Sequence, residues 1–135
     1  MKTLTTKDVP AAYSEALSLQ NKRAYPQAIR MYDQILKAAP RVPEVHYQLG
    51  RIYLIGHQLA KSLHHFQIAA SLKPAEPAIW IALADTIKTL SDKDETEKFR
   101  KAIAKSGLDR RQVVQLQDAV DLRGRSKIEL GSLPP

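Results

Sequence analysis

The stretch HYQLGRIY, residues 46–53, decides how this sequence is expected to fold. His46, Leu49, Gly50 and Tyr53 fall at positions i, i+3, i+4 and i+7, which lie on one face of a helix. Glycine inside a helix costs about 1 kcal/mol relative to alanine, so Gly50 on that face needs a physical reason. We infer that a second helix approaches closely there. The stretch therefore predicts a helix that packs tightly against a neighbour.

The same pattern returns along the chain at a fixed offset of thirty-four positions. The small residues Ala16, Gly50 and Ala84 share one column at this offset, and Tyr32 falls on Phe66. A bulky ring on the second helix of a pair would fill the space beside the small residue on the first. Further columns keep one size class: Ala28 with Ser62, Pro40 with Pro74, Leu19 with Tyr53 and Ile87, Ile35 with Ala69 and Ile103, Leu49 with Leu83, and His46 with Trp80. A unit repeated at this period predicts an all-α solenoid of paired helices.

These residues resemble the tetratricopeptide repeat (TPR). The family pattern is a large residue, Leu-Gly three positions later and then Tyr, followed by a small residue, Phe and Pro. The resemblance covers about residues 9–106 and is carried by His46, Leu49, Gly50, Tyr53, Ser62, Phe66 and Pro74. It implies a right-handed α-solenoid of antiparallel helix pairs, with about three repeats and a C-terminal capping helix. It also implies a protein that holds other proteins and is not an enzyme.

Turn and cap residues predict about seven helices. We expect them near residues 9–22, 26–38, 43–56, 60–72, 77–90, 94–106 and 109–123. Pro26 suits a first helical turn, where its missing N–H would have no partner, and Asp109 is expected to cap the seventh helix with Gln112 as its capping-box partner. The expected organisation is an N-terminal arm (1–8), one domain (9–123) and a C-terminal tail or linker (124–135). The domain would hold repeats 9–42, 43–76 and 77–108 and a capping helix over 109–123.

Two places depart from the repeat. In the third repeat Thr96 and Arg100 occupy the small and aromatic columns, and Phe99, one residue earlier, is expected to take the place of the aromatic. In the first repeat Glu15 stands where the other two have leucine. Both repeats are terminal, and terminal repeats of a solenoid are atypical because their outer face meets water.

Composition narrows the functional classes. The chain has no cysteine, which excludes disulfides, thiolate metal sites and a cysteine nucleophile. No apolar run approaches the roughly 20 residues that span a bilayer, and the segment from Met1 to Pro10 lacks the apolar core of a secretory signal. We therefore expect a cytoplasmic protein with no membrane partner. The net charge is +7, but bases are interleaved with acids, which favours a solvated helical surface and argues against nucleic acid as the partner.

Residues that could carry chemistry have ordinary structural explanations. His46 lies in a core column, His57 follows a glycine in a turn, and His64 and His65 are adjacent and so point in different directions on a helix. Asp94 and its acidic neighbours lie at a helix start, where they complement the helix dipole. The sequence contains no nucleophile elbow, phosphate loop or dinucleotide-binding run. We therefore predict no catalytic residue, no cofactor and no metal.

The remaining candidate is the face of the first helices that points away from the packing face. By the family resemblance this face lines a concave groove that receives peptides. The expected groove residues are Tyr13, Leu17, Gln20, Tyr47, Gln48, Arg51, Leu54, Ile55, Ile81, Asp85 and Lys88. Tyrosine and arginine are frequent at binding hot spots. The alternative is that these residues contact capping elements, or that Arg51 pairs with Asp85. The Lys, Asn and Arg set with which some family members clamp a C-terminal carboxylate is not reproduced.

The leading hypothesis is an interaction module or scaffold that binds a peptide or helix of another protein in this groove. A first alternative is the non-catalytic N-terminal part of a larger enzyme, because residues 72–77 resemble the repeat region of bacterial repeat-containing sulfotransferases. A second is a basic nucleic-acid binder that uses Arg100, Lys101, Lys105, Arg110, Arg111, Arg123 and Arg125. A third is a homo-oligomer formed through the open end of the solenoid.

Overall fold

The computed structural model describes the backbone of residues 3–132 and the side chains of residues 3–121. After a 3-10 turn at Thr6–Asp8 the described chain contains seven helices and no strand. The helices are α1 (Val9–Asn21), α2 (Tyr25–Ala38), α3 (Pro43–Ile55), α4 (Leu59–Leu72), α5 (Pro77–Leu90), α6 (Lys93–Ala104) and α7 (Arg110–Ser132). The predicted all-α fold with about seven helices is confirmed, and α1 to α6 begin and end within two residues of their predicted positions.

Prolines and short polar side chains set most helix starts. Four helices have proline within their first two positions, where no hydrogen bond from its nitrogen is needed: Pro10, Pro26, Pro43 and Pro77. Ahead of α7, Gly107 has a φ of 86°, and the Asp109 carboxylate then accepts a hydrogen bond from the Gln112 N–H at 2.9 Å. The predicted cap at Asp109 is therefore present.

The C-terminal end of α7 differs from the end predicted for the seventh helix. The sequence predicts a helix over 109–123 followed by a tail or linker over 124–135, whereas α7 continues to Ser132. The prediction treats Gly124 as a stop, but one interior glycine costs only about 1 kcal/mol. The following residues, 125–130, are mostly good helix formers (Arg, Lys, Ile, Glu and Leu), so the helix continues through the glycine. Residues 133–135 lie outside the described residues.

The chain divides into two compact units, unit 1 (Met1–Leu72) and unit 2 (Lys73–Pro135). Unit 1 holds α1 to α4, and unit 2 holds α5 to α7. The division falls close to the expected boundary between the second and third repeats at residues 76 and 77. The single domain expected over 9–123 remains a prediction.

In unit 1 the helices pack as two pairs, α1 with α2 and α3 with α4, and α2 also contacts α3. The α3–α4 contact is tight at Gly50, where a Cβ atom would stand 2.5 Å from Cε1 of Phe66. The Ser62 hydroxyl donates to the Gly50 carbonyl at 2.8 Å, which ties the two backbones at the same level. The close approach inferred from Gly50 is therefore observed.

In unit 2, α5 contacts both α6 and α7, and α6 contacts α7. Phe99 on α6 is buried, and its ring meets Trp80 edge to face with centroids 5.9 Å apart. The guanidinium of Arg100 forms an ion pair with Asp121 of α7, and the Arg100 carbonyl accepts from the Gln117 side chain at 3.1 Å. Arg100 thus fixes α7 against α6 instead of filling an aromatic position.

One side-chain tie occurs in both units. The Trp80 ring Nε1–H donates to the Pro74 carbonyl at 2.7 Å, and Nε2 of His46 lies 3.0 Å from the Pro40 carbonyl. Both rings stand six residues after the proline, and the two pairs are related by the repeat offset. Each tie joins a ring in the first turns of a helix to the proline carbonyl just ahead of that helix.

Candidate partner-binding site

Unit 1 brings the expected polar residues of α1 and α3 into one hydrogen-bonded cluster. Gln20 donates from Nε2 to Oε1 of Gln48 at 3.0 Å, and Gln48 donates from Nε2 to the Tyr13 hydroxyl at 3.4 Å. The Tyr32 hydroxyl donates to Oε1 of Gln20 at 2.7 Å. Together with Arg51, which also contacts Gln48, these residues form what we call the Gln48 cluster. It links helices that are far apart in sequence, so its geometry depends on their packing.

Arg51 is held from two sides. Its Nη1 donates to Oε1 of Gln48 at 3.2 Å, and its guanidinium carbon lies 5.8 Å from the centroid of the Tyr47 ring. That distance is within the range of a cation–π contact. The Tyr47 ring in turn meets Phe66 with centroids 5.9 Å apart. An exposed cation is therefore positioned by a fixed amide and a fixed ring.

The inner part of the cluster is buried, and its outer part is not. Tyr32 has no exposed surface and Gln20 is 9% exposed, whereas Tyr13 and Gln48 are half-buried and Arg51 is exposed. Burial raises the pKa of the Tyr32 phenol well above its usual value of 10, the nearby Tyr13 raises it further, and Arg51 lowers it. Tyr32 therefore stays protonated and acts as the donor to Gln20.

Apolar side chains extend this surface along α3. Tyr47, Arg51 and Ile55 are spaced four residues apart, so they form one line on the helix. Ile55 is 62% exposed, the largest exposed fraction of any large hydrophobic residue among the described side chains of unit 1. Leu54 and Leu17 are half-buried. The expected groove residues of unit 1 thus present a ring, a cation and an exposed aliphatic side chain in order.

In unit 2 the expected groove residues lie on α5. Ile81 is 50% exposed, and Lys88 pairs with Asp85 at 4.0 Å within the same helix. The Asp85 side chain is 59% exposed and the Lys88 side chain 39%, and an ion pair this open to solvent contributes little to stability. The assignment of these three residues to a binding groove remains a prediction.

A histidine pair is the feature that sequence reasoning missed. The sequence predicts His46 as a core residue, which it is, but Nδ1 of His65 lies 3.1 Å from its Nδ1, and the rings stack with centroids 5.3 Å apart. Because the Pro40 carbonyl can only accept, Nε2 of His46 carries the hydrogen. In the neutral pair Nδ1 of His46 therefore accepts from Nδ1–H of His65.

Burial lowers the pKa of His65 to about 4, and the neighbouring His46 and His64 act in the same direction. Tyr53 stacks on His65 with centroids 5.7 Å apart, and Nζ of Lys61 stands 5.3 Å from the Tyr53 ring. His65 is thus neutral at physiological pH and acts as a packing and hydrogen-bonding residue.

The repeat offset carries the signal that could have predicted the pair. Moving His46 and His65 forward by one repeat gives Trp80 and Phe99, whose rings also contact each other. Phe99 therefore keeps the register of His65, and its position one residue before the aromatic column is not a shift. Tyr32 is likewise predicted only as a core ring, and its hydroxyl proves to anchor Gln20.

Other candidate chemistry is engaged in structural contacts. Within residues 3–121 no three His, Asp or Glu side chains are grouped so that they could hold a metal ion. Among the bases considered for nucleic acid, Arg100 pairs with Asp121 and Lys101 lies 3.8 Å from Glu97. Arg123 and Arg125 lie outside the residues whose side chains are described. No helix in the described part of the chain has the length and apolarity to cross a membrane.

Solved structures with a similar fold include a TPR domain. The crystal structure of the Sgt2 TPR domain from Aspergillus fumigatus matches with a TM-score of 0.66 and 21% identity, over 99% of this chain and 89% of that one. A chain of the CopN-Scc3 complex matches with a TM-score of 0.69 and 16% identity, over 89% of this chain and 71% of that one. No protein-family model and no curated protein matches the sequence. At these identities the likeness establishes the fold, which is the TPR-like all-α solenoid that the repeat period predicts.

Proposed function

We propose that this protein is a non-catalytic interaction module, and that unit 1 binds a peptide or helical segment of another protein. The binding surface is the exposed side of α1 and α3, which we call the α1–α3 face. It consists of Tyr13, Leu17, Tyr47, Gln48, Arg51, Leu54 and Ile55. The observation that carries the proposal is that this face is partly exposed and yet held in place by the Gln48 cluster.

Fixed side chains matter because binding must otherwise immobilise them. Ordering one flexible side chain at an interface costs about 0.5–1.5 kcal/mol. Arg51 already has Gln48 and the Tyr47 ring as neighbours, and Gln48 already has Gln20 and Tyr13. A partner would meet a surface whose long polar side chains are ordered before it arrives. Contacts of this kind add little to the stability of an exposed surface. We therefore attribute them to recognition of a partner.

The chemistry of the face also supports a protein partner. Tyr and Arg are among the residue types most enriched at interface hot spots, and the face contains Tyr13, Tyr47 and Arg51. Ile55 offers a large exposed apolar surface one helical turn beyond Arg51. The two solved structures support an interaction role by analogy of fold, since one is a TPR domain and the other is a complex. The contribution of Ile81, Asp85 and Lys88 is part of the same proposal.

The test is a selection for binders followed by mutation of the face. A library of random 12-residue peptides is selected against the whole chain, and the affinities of the binders are measured. Tyr47→Ala with Arg51→Ala should weaken them by about thirty-fold or more, as expected for a hot spot worth about 2 kcal/mol. The matched control is Arg30→Ala with Gln34→Ala, two exposed residues of α2. Full affinity of the folded Tyr47 and Arg51 variant would remove the α1–α3 face as the binding surface.

A further inference from the structure

We propose that Arg51, with Gln48 and Tyr13, binds the side-chain carboxylate of an aspartate or glutamate in the middle of the partner segment. The inference rests on the proposed function of the α1–α3 face and names the partner that the face takes. The occupant is thus an acidic peptide segment with apolar residues on both sides of its acid.

The hydrogen bonds of the Gln48 cluster leave several of its donors unused. Both lone pairs of Oε1 of Gln48 are used, by Nε2 of Gln20 and Nη1 of Arg51. The Tyr13 hydroxyl accepts from Gln48 and keeps its own hydrogen to donate. The remaining guanidinium N–H groups and the second amide N–H of Gln48 are donors as well. A ligand that satisfies this set must bring acceptors, and a carboxylate brings two oxygens with several lone pairs.

The charges around Arg51 also favour a carboxylate as the ligand. Among the described side chains of unit 1, no carboxylate forms an ion pair with Arg51; its neighbours are the Gln48 amide and the Tyr47 ring. The acid of α3 is Glu44, seven residues away, which is about 10 Å along the helix axis. Residues 1–72 contain nine Lys and Arg but four Asp and Glu, a net charge of +5. A planar guanidinium without an acidic partner is suited to bind a carboxylate with two parallel hydrogen bonds.

The arrangement along α3 favours an acid inside the segment over one at its end. Tyr47 lies one turn before Arg51 and Ile55 one turn after it, each about 6 Å away along the axis. A segment whose carboxylate reaches Arg51 therefore meets apolar surface in both directions. A chain terminus would occupy only one of them, and Ile55 or Tyr47 would stay uncovered. Two-sided contact requires that the chain continue past the acid.

The experiment uses the full chain and binders from a random 12-residue library displayed with both ends blocked by flanking sequence. We expect the binders to share an Asp or Glu at one fixed position between apolar residues. Synthetic binders with acetylated and amidated ends then carry Glu or Gln at that position. The Glu form should bind about ten-fold more tightly to the wild type, and this ratio should fall to near one on Arg51→Gln. The control Arg30→Gln has the same charge change on α2 and should keep the ten-fold ratio.

The outcomes separate this inference from the function on which it rests. Binders that depend on Tyr47 and Arg51 but show no Glu-over-Gln preference leave the peptide-binding face intact and overturn the carboxylate. A preference that survives Arg51→Gln also overturns it. Failure to select any binder, or binders unaffected by Tyr47→Ala with Arg51→Ala, would overturn the proposed function and this inference together.

Discussion

Replacing Gly50 with alanine should destabilise unit 1 by about 1–2 kcal/mol, although alanine is the better helix former. The expectation follows from the space beside the glycine. A Cβ atom at position 50 would stand 2.5, 2.6 and 2.9 Å from Cε1, Cδ1 and Cζ of Phe66. Carbon atoms in contact are normally about 3.5–4.0 Å apart, so the Phe66 ring would have to move by about 1 Å.

The magnitude comes from two opposed effects. Alanine gains about 1 kcal/mol over glycine in a helix interior. Overpacking a core costs about 1–3 kcal/mol, and the upper half of that range applies here because Phe66 has no exposed surface into which its ring could move. The difference is a net loss of about 1–2 kcal/mol. A leucine at position 50 would add more atoms to the same space and cost more.

The measurement is urea unfolding followed by far-ultraviolet circular dichroism, with two controls. Gly56→Ala is the matched variant, because the nearest atoms to its added Cβ are 3.7 to 3.9 Å away, and its stability should stay within about 0.5 kcal/mol of the wild type. Phe66→Leu combined with Gly50→Ala tests the contact itself, because the smaller side chain leaves room for the methyl group. The double variant should be less destabilised than the sum of the single variants by about 1 kcal/mol or more.

The reasoning is refuted if Gly50→Ala is as stable as the wild type or more stable. It is also refuted if the effects of Gly50→Ala and Phe66→Leu simply add. Either result would mean that the glycine is not required by the ring of α4, and the physical basis of the small-residue column would be lost.

Two further predictions concern the polar contacts of Gln20 and of His65. Gln20→Leu removes the acceptor of the buried Tyr32 hydroxyl and should lower the free energy of unfolding in urea by about 1–3 kcal/mol. Adding Tyr32→Phe should recover most of that loss, and an undiminished loss would contradict the role of the hydroxyl. The pKa of His65 is lowered to about 4 in the folded chain from 6.5, so its contribution to stability is complete above about pH 6.5 and is lost as the pH falls toward 4. Because the ring is only partly buried, we expect the loss to be about 1–2 kcal/mol. His65→Phe should remove this part of the pH dependence of the unfolding free energy, whereas His57→Asn, in an exposed turn, should keep it. Curves of unfolding free energy against pH that run parallel for His65→Phe and the wild type would refute the assignment.

Much of the fold could be predicted because its signals are local or periodic. Proline within the first two positions of α1, α2, α3 and α5 marks where these helices begin, since that is where proline fits a helix. The column of Gly50 predicted the contact with Phe66, because a small residue inside a helix is useful only where something approaches it. The end of α7 could not be predicted in this way. Gly124 is a weak stop, and the surrounding helix formers outweigh it.

The sequence is enough to propose a candidate face, but it does not predict the hydrogen-bond network on it. Periodicity places Gln20, Gln48 and Arg51 on the side of their helices that faces away from the packing columns, which is enough to propose a surface. Which amide contacts which hydroxyl depends on distances between helices, and those follow from core packing that no local pattern specifies. The pairing of His46 with His65 is not predicted by the local pattern around either residue, although the offset that reveals the repeat relates them to Trp80 and Phe99.

The ring that reaches back to a proline carbonyl has a consequence for the short connection it crosses. In each unit the start of a helix, α3 or α5, is tied to the proline ahead of it by the N–H of His46 or Trp80. The connecting residues 41–42 and 75–76 differ in chemistry, Arg-Val in one and Ala-Glu in the other. Their local roles differ as well, because Val42 packs against the core of unit 1 and the Glu76 carboxylate caps α5 by accepting from the Ala78 N–H at 3.3 Å. Charge changes at the exposed residues Arg41 and Ala75 should therefore be tolerated as long as the ring donor remains.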